Sequence, residues 1–371
     1  MILISSSSKI LGFFPYCLYM FQSVCEKSFI KDTRNSQELK NITLSNYKKI
    51  DVKNALIENL LREKVENALN WTAELICSGH FSDLWDAILF FFPKYIYLAN
   101  PALPYYLKKR YEVFRSWMNN SVIDMELRNN EIIRKLFTEI ICVLISSKKQ
   151  NSFEHIKIDR EEEFDMTKNN QRYKAPTMEY AVSVMKKDDP TELFISINEF
   201  LYSLSIKDNS LCRYWVDWII EFDTICRSRK EPCYCEKRED LNVERKFKKD
   251  IVWLIWDSIL HKSEGNDSHL IKKTISSLFD LFCIRYTNSL CKKRRYIIYY
   301  AISLLIEPVD FTVEIVQDKT MIDFYTSRID DIYIQIKKSE LSNGHCMNEK
   351  EKNFNKSMEK INLTLDFQEN T

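Results

Sequence analysis

Glycine is almost missing from this chain: Gly12, Gly79, Gly265 and Gly344 are the only four in 371 residues, where average usage of about 7% would place roughly 26. An α/β enzyme spends glycine in strand-to-helix turns and phosphate loops. None of the four stands before a Lys-Ser or Lys-Thr pair, so a GxxxxGK[ST] loop, whose backbone N–H groups must approach phosphate closely, is excluded. Histidine is also scarce, at five residues, and none lies in a nucleophile-elbow context. Long apolar runs are lacking too. Ile10–Cys25 (ILGFFPYCLYMFQSVC) is short for a membrane span, contains Pro15, and has neither the basic start nor the small-residue cleavage site of a signal peptide. No membrane anchor is expected there, and Met20 is a second candidate start. Charge of one sign is not in excess: 54 Lys plus Arg face 53 Asp plus Glu, which argues against a polybasic protein and leaves room for a local basic face. Eleven cysteines, an odd number without regular spacing, read as reduced thiols packed as small hydrophobes in an intracellular, reducing compartment.

What is present is 45% hydrophobic and 13% aromatic residues, much of it at helical spacing. Val52–Ser78, Asp83–Tyr95, Leu103–Met118 and Glu131–Ile145 carry apolar residues at three- and four-residue steps. Pro101 and Pro104 suit the first turn of the third. Residues 151–175 lose the period, which returns at 177–187, 191–205, 210–228, 245–261, 268–286 and 293–306. The expected fold is all-α, a helical bundle or stack. All seven tryptophans fall inside these segments. Residues 1–46 read as a partly disordered polar extension, 151–189 as a linker, 311–338 as a terminal helix and 339–371 as a disordered tail.

Sliding the sequence on itself shows a second layer. Asn54, Leu60, Trp71 and Ile76 match Asn198, Leu204, Trp215 and Ile220 at an offset of 144, and LWDAIL at 84–89 matches IWDSIL at 255–260 at an offset of 171. RKLFTEIICVLIS at 134–146 matches RYIIYYAISLLIE at 295–307 more loosely. Two diverged repeats are expected, 47–150 and 190–310, the second carrying an insertion near 222–248.

The first repeat has Ala68-Leu69-Asn70-Trp71-Thr72-Ala73-Glu74-Leu75 followed by Ser78-Gly79, then Leu98-Ala99-Asn100-Pro101-Ala102-Leu103 and Tyr111, then Lys149-Gln150-Asn151-Ser152. These blocks resemble the helical region that follows the ATPase core in the replication-associated recombination ATPases and the related Werner-helicase-interacting protein, a region of the clamp-loader collar fold. The whole chain also looks like uncharacterised helical proteins of large DNA viruses. The resemblance implies a collar of helices that holds subunits together and contains no reaction centre. Here the ATPase region is missing, the family's acidic pair before Leu-Ala-Asn-Pro is replaced by Lys94 and Tyr95, its glycine by Tyr97, and the proline of the closing block by Lys148.

Three groups of residues are candidates for chemistry or binding. Cys226, Cys233 and Cys235 are the one cluster resembling metal ligands, and thiolates suit zinc, though C-x6-C-x-C lacks a nearby fourth ligand. The insertion is basic, with nine Lys/Arg and five Asp/Glu across 226–249. Arg227, Arg229 and Lys230, together with Lys148, Lys149, Lys292, Lys293, Arg294 and Arg295, are candidate phosphate contacts. A solvated helical face is the plainer reading of the same charges. Trp215 and Trp218, three residues apart on one helix face, are candidates for burial against a partner.

The leading expectation is a non-catalytic replication or repair accessory factor that binds proteins, with clamp or clamp-loader components implied by the resemblance, and DNA as a further partner. A helical scaffold or virion-associated protein with no nucleic-acid role is the second reading. A zinc-dependent regulator organised around 226–235 is the third. No cofactor other than that zinc is expected.

Overall fold

The computed structural model describes residues 28–34, 37–120, 124–160, 164 and 172–340. The Ile10–Cys25 segment, the Glu161–Glu163 run and the tail from 341 lie outside the described residues. Among the described residues there are twelve α-helices and no strand, only isolated bridges pairing Ile42 with Lys48 and Tyr234 with Asp250.

The helices are α1 (Lys49–Leu61), α2 (Val65–Cys77), α3 (Phe81–Phe91), α4 (Leu103–Asn120), α5 (Asp124–Asn129) and α6 (Glu131–Ser146), then α7 (Phe194–Ser205), α8 (Asn209–Ser228), α9 (Val252–Glu264), α10 (His269–Cys283), α11 (Asn288–Ile306) and α12 (Lys319–Lys337). Several begin where a short polar side chain takes up orphan N–H groups: Asn130 before α6, Asp208 before α8, Ser268 before α10 and Asp318 before α12. The expected single helix over 52–78 is two, because Glu63 turns left-handed at φ 56° and Lys64 N–H bonds back to Asn59 O. After α3 the coil widens to a π turn, Phe92–Ile96, at Pro93, which has no N–H to give.

Helix α11 is the axis of the molecule. Its Ile297, Ile298, Tyr299, Tyr300, Ala301 and Ile302 are fully buried, and it packs against α3, α7, α8, α9, α10 and the π turn. One continuous apolar core runs from Ile30 to Ile336. Helix α10 of the second segment lies on α4 of the first, and α12 returns to pack on α2 and α6. The two segments proposed as repeats therefore share one core.

Parts of their local geometry echo one another, the turn at the offset of 144 and the tryptophans at 171, while the rings that the tryptophans meet are 168 apart. Lys207 repeats the φ of Glu63 at 59°, and Asp208 N–H bonds to Ser203 O as Lys64 does to Asn59 O, each 144 residues on. Trp85 sits 5.0 Å from Tyr111 and 5.9 Å from Phe114, while Trp256 sits 5.2 Å from both Phe279 and Phe282. Each tryptophan thus meets two rings three residues apart on the following helix.

The irregular segments are structured where the sequence suggested linkers. The described part of the polar extension is packed, with Ile30, Leu39 and Leu44 buried. Buried Glu74 accepts Ser45 N–H at 2.8 Å, and Arg134 reaches Ser28 O at 3.1 Å. Residues 177–187 form only one 3-10 turn, Ala181–Ser183. Buried Asn198 accepts Ala181 N–H at 3.1 Å, Glu199 accepts Lys174 and Ala175 N–H, and Asp189 accepts Lys186 N–H at 2.7 Å. Those side chains hold this stretch of backbone to α7 and the 186–189 turn in place of a continuous helix. Helix α8 extends to Ser228, so the part of the insertion outside α-helix is 229–248, with one 3-10 turn at Arg245–Phe247, held by the Arg238–Asp189 ion pair at 2.9 Å.

Candidate nucleic-acid interface and the cleft beside it

Most of the expected basic contacts serve the fold. Lys149 donates to the carbonyls of Leu144, Ile145 and Ser147, closing the end of α6, and meets Glu63 at 3.4 Å. Arg227 pairs with Asp223 at 2.8 Å and with buried Asp250 at 3.1 Å. Lys292 pairs with Glu221 at 2.9 Å. Arg295 meets Asp217 at 2.8 Å, and buried Arg294 donates to Phe282 O at 2.7 Å and to Asp86 at 3.1 Å. Lys148, Arg229, Lys230 and Lys293 are exposed. Four of the nine expected cations are therefore exposed, and one, Arg294, is buried.

The two tryptophans proposed as partner contacts are covered by their own chain. Trp215 is 2% exposed, stacked near Tyr173 and edge-on to Tyr214. Trp218 is 6% exposed, between Phe164 at 4.8 Å and Phe222 at 5.4 Å. The segment read as a linker lies over them. Its Ile156 N–H is held at 2.7 Å by Asp217, the residue between the tryptophans' turns. Burial raises the Asp217 carboxyl, and Arg295 and the Tyr299 hydroxyl only partly offset that.

The three cysteines do not converge. Cys235 is buried and its Sγ donates to Asp250 O at 3.3 Å. Cys226 and Cys233 are half-buried, with Glu192 and Asp223 near both. Burial pushes the Cys233 thiol up to about 11 and Cys235 to about 12, so all three sit as thiols at neutral pH. Among the described residues no group of three or more His, Cys, Asp or Glu side chains is placed to hold a metal.

The blocks that carry the collar resemblance touch one another. Gln150 N–H bonds to Tyr95 O at 2.8 Å and Ser152 N–H to Lys94 O at 2.7 Å, laying the closing block along the segment before Leu98. The buried Asn100 side-chain amide donates to Ser147 Oγ at 3.1 Å and to Ile315 O at 3.2 Å, and the Asn100 backbone carbonyl accepts from the Tyr300 hydroxyl at 3.0 Å. Tyr97 stands at φ 48°, ψ −135°, a conformation that glycine enters without penalty and tyrosine does not. Its hydroxyl bonds to Ser303, which holds the ring in place.

A cleft of about 660 Å³ that the sequence reading missed opens between α4, the 283–287 turn and the insertion. Lys108, Tyr111, Glu112 and Arg115 line one wall, and Phe279, Ile284, Arg285 and Tyr286 line another. The insertion adds Asp240, Asn242, Val243 and Glu244. Lys108 is held by Asp280. Arg115 and Arg285 are exposed and make no ion pair or side-chain hydrogen bond among the described residues. Arg285 has φ 47°. The one available signal was weak: Tyr111 and Arg115 are four residues apart on a helix face, but nothing local places Arg285 opposite them.

Comparison with protein-family models, with curated proteins and with solved structures gives no match. Among the described residues no helix is long and apolar enough to cross a membrane.

Proposed function

We propose that this chain is a non-catalytic helical accessory factor of DNA replication or repair, built on two diverged collar-like repeats, that binds protein partners and DNA. The observation that carries the reading is the junction formed by the resemblance-bearing blocks. The closing block pairs with the Lys94–Tyr95 backbone, Asn100 ties that segment to Ser147 and Ile315, and Tyr97 occupies a glycine-type backbone conformation at the position where the collar family has glycine. The matching turns at Glu63 and Lys207 and the matching tryptophan clusters support the duplication. A collar works through helix faces presented to neighbouring subunits, which suits a chain whose ion pairs and buried carboxylates are spent on holding its own segments in place.

The DNA arm of the proposal rests on Lys148, Arg229, Lys230 and Lys293, the expected cations that stay exposed. Phosphate contacts made by such side chains release counterions, so affinity falls steeply with salt. Purified protein mixed with a purified sliding clamp and clamp-loader ATPase from the same source is expected to co-elute with one of them. In fluorescence anisotropy, DNA affinity is expected to drop with rising salt, and the Lys148→Glu/Lys293→Glu and Arg229→Glu/Lys230→Glu pairs are expected to weaken it at least tenfold. No co-elution with either protein, together with no DNA retention at low salt, overturns the proposal and favours a scaffold role.

A further inference from the structure

The cleft between α4 and the 283–287 turn displays two arginines to solvent. Arg227, Arg238, Arg294 and Arg295, by contrast, each meet a carboxylate. Arg115 and Arg285 come from separate elements, line the same cleft, and have no carboxylate partner among the described residues. Both bear electrostatically on the half-buried hydroxyl of Tyr111, as does Arg294 behind it. Three guanidiniums around one phenol draw an anionic group to that side of the cleft. A phosphoryl group suits the arrangement, because guanidinium forks match its oxygens and Tyr111 adds a neutral O–H donor.

The remainder of the cleft limits the ligand further. Phe279, Ile284, Tyr286 and Val243 give an apolar wall, and Asp240 and Asn242 offer acceptors to N–H or O–H groups. A volume of about 660 Å³ falls within the roughly 300–1,000 Å³ typical of small-molecule sites. The carboxylates of Glu112, Glu244, Asp240 and Asp280 also line the cleft; Lys109 pairs with the first at 2.7 Å, Lys246 with the second at 2.8 Å, and Lys108 with Asp280. Arg285 is held left-handed, a conformation disfavoured for a residue with a Cβ, by the turn in which Tyr286 N–H bonds to Cys283 O at 3.2 Å.

We propose that this cleft binds a nucleoside phosphate, with the phosphoryl group between Arg115, Arg285 and Tyr111 and the base or sugar toward Val243 and Asn242. The ligand is either a free mononucleotide or a nucleotide within a strand. The inference stands on the cleft and does not need the collar reading.

Calorimetric titration of the full chain with adenosine 5′-monophosphate, adenosine, inorganic phosphate and a short single-stranded oligonucleotide tests it. Binding of the monophosphate is expected, with adenosine at least tenfold weaker and inorganic phosphate competing. Arg115→Gln and Arg285→Gly are each expected to weaken it at least tenfold. Arg285→Gly also relieves the positive φ, so its melting temperature should not fall, which separates lost binding from lost folding. Loss of oligonucleotide binding in the same variants, at higher affinity than the monophosphate, assigns the site to a strand, and monophosphate binding alone assigns it to a free nucleotide. No binding by any probe, or binding that neither substitution changes, overturns the proposal. Both variants leave Lys148, Arg229, Lys230 and Lys293 in place, so this outcome is independent of the test of the exposed cations.

Discussion

At the scale of single residues, the chain places carboxylates and amides inside the protein and uses them to grip backbone. Glu74 holds Ser45, Asp217 holds Ile156, Glu199 holds Lys174 and Ala175, and Asp189 holds Lys186 and Glu236. Burial alone raises such carboxyls, as it does for Glu74 and Asp217. At Asp189 burial is outweighed: the Arg238 guanidinium and the two N–H donors hold the carboxyl below its ordinary value of 3.8. Arg238 and Asp189 are 5% and 0% exposed at their side chains, so Asp189→Asn leaves a buried guanidinium with Asp257 as its remaining carboxylate. The expected cost is about 3 kcal/mol, the lower end for breaking a buried ion pair. Because the native carboxyl is depressed, its contribution is complete above pH 3.8 and is lost as pH falls through the native value. Denaturant midpoints of wild type and Asp189→Asn should therefore converge in strongly acidic solution and stay apart near neutrality. These residues were visible in the sequence as charged positions, but their partners were not. The Asp189–Arg238 pair joins positions 49 residues apart, and no local period reports such a contact.

At the scale of elements, helix existence was legible and helix ends were less so. The apolar period found α4, α6, α8 and α10 within a few residues because each buries one face against neighbours. It joined α1 to α2 because the apolar spacing carries across the Glu63 turn, where a left-handed residue, which the pattern does not encode, reverses the chain. The same turn recurs at Lys207, where φ is 59°. Lys207→Gly is expected to stabilise the protein by about 0.5–1 kcal/mol, since glycine removes the Cβ penalty of the left-handed region and returns part of that gain as unfolded-chain entropy. A rise in the thermal midpoint checks this, and a fall would show that the Lys207 side chain makes a stabilising contact. The helix expected over 177–187 failed for a different reason. Its period was real, but Ala181 is the one position there that is fully buried, and Asn198 and Asp189 take up the N–H groups of Ala181 and Lys186.

For the whole molecule, the two repeat segments suggested two bodies joined by a linker, and the tertiary structure unites them. Helix α10 covers α4, α12 covers α2 and α6, and α11 runs through the centre. Arg134 is the clearest joint: it reaches Ser28 at 3.1 Å and Asp330 at 3.3 Å and lies 3.9 Å over the Tyr333 ring. It thereby fixes both the N-terminal strap and the C-terminal helix to α6. Expressed separately, 47–150 and 190–310 should each expose core faces and melt without a cooperative transition by circular dichroism, whereas the full chain melts as one unit. A sharp, independent transition in either fragment would show that each repeat carries enough core to fold alone.

By itself the sequence determined the all-α architecture, through scarce glycine and a dense 3.6-residue period, along with the absence of a phosphate loop and the internal echo at offsets of 144 and 171. These are local or self-comparing properties, and a linear chain displays them directly. Only the tertiary structure decided which charges are spent and which are free. Arg294 and Lys293 are neighbours in one basic run, yet one closes the end of α10 from inside the core and the other faces water. It alone also brought Arg285 opposite Arg115, because desolvation and pairing depend on what packs against a side chain, and that is set by contacts between residues far apart along the chain.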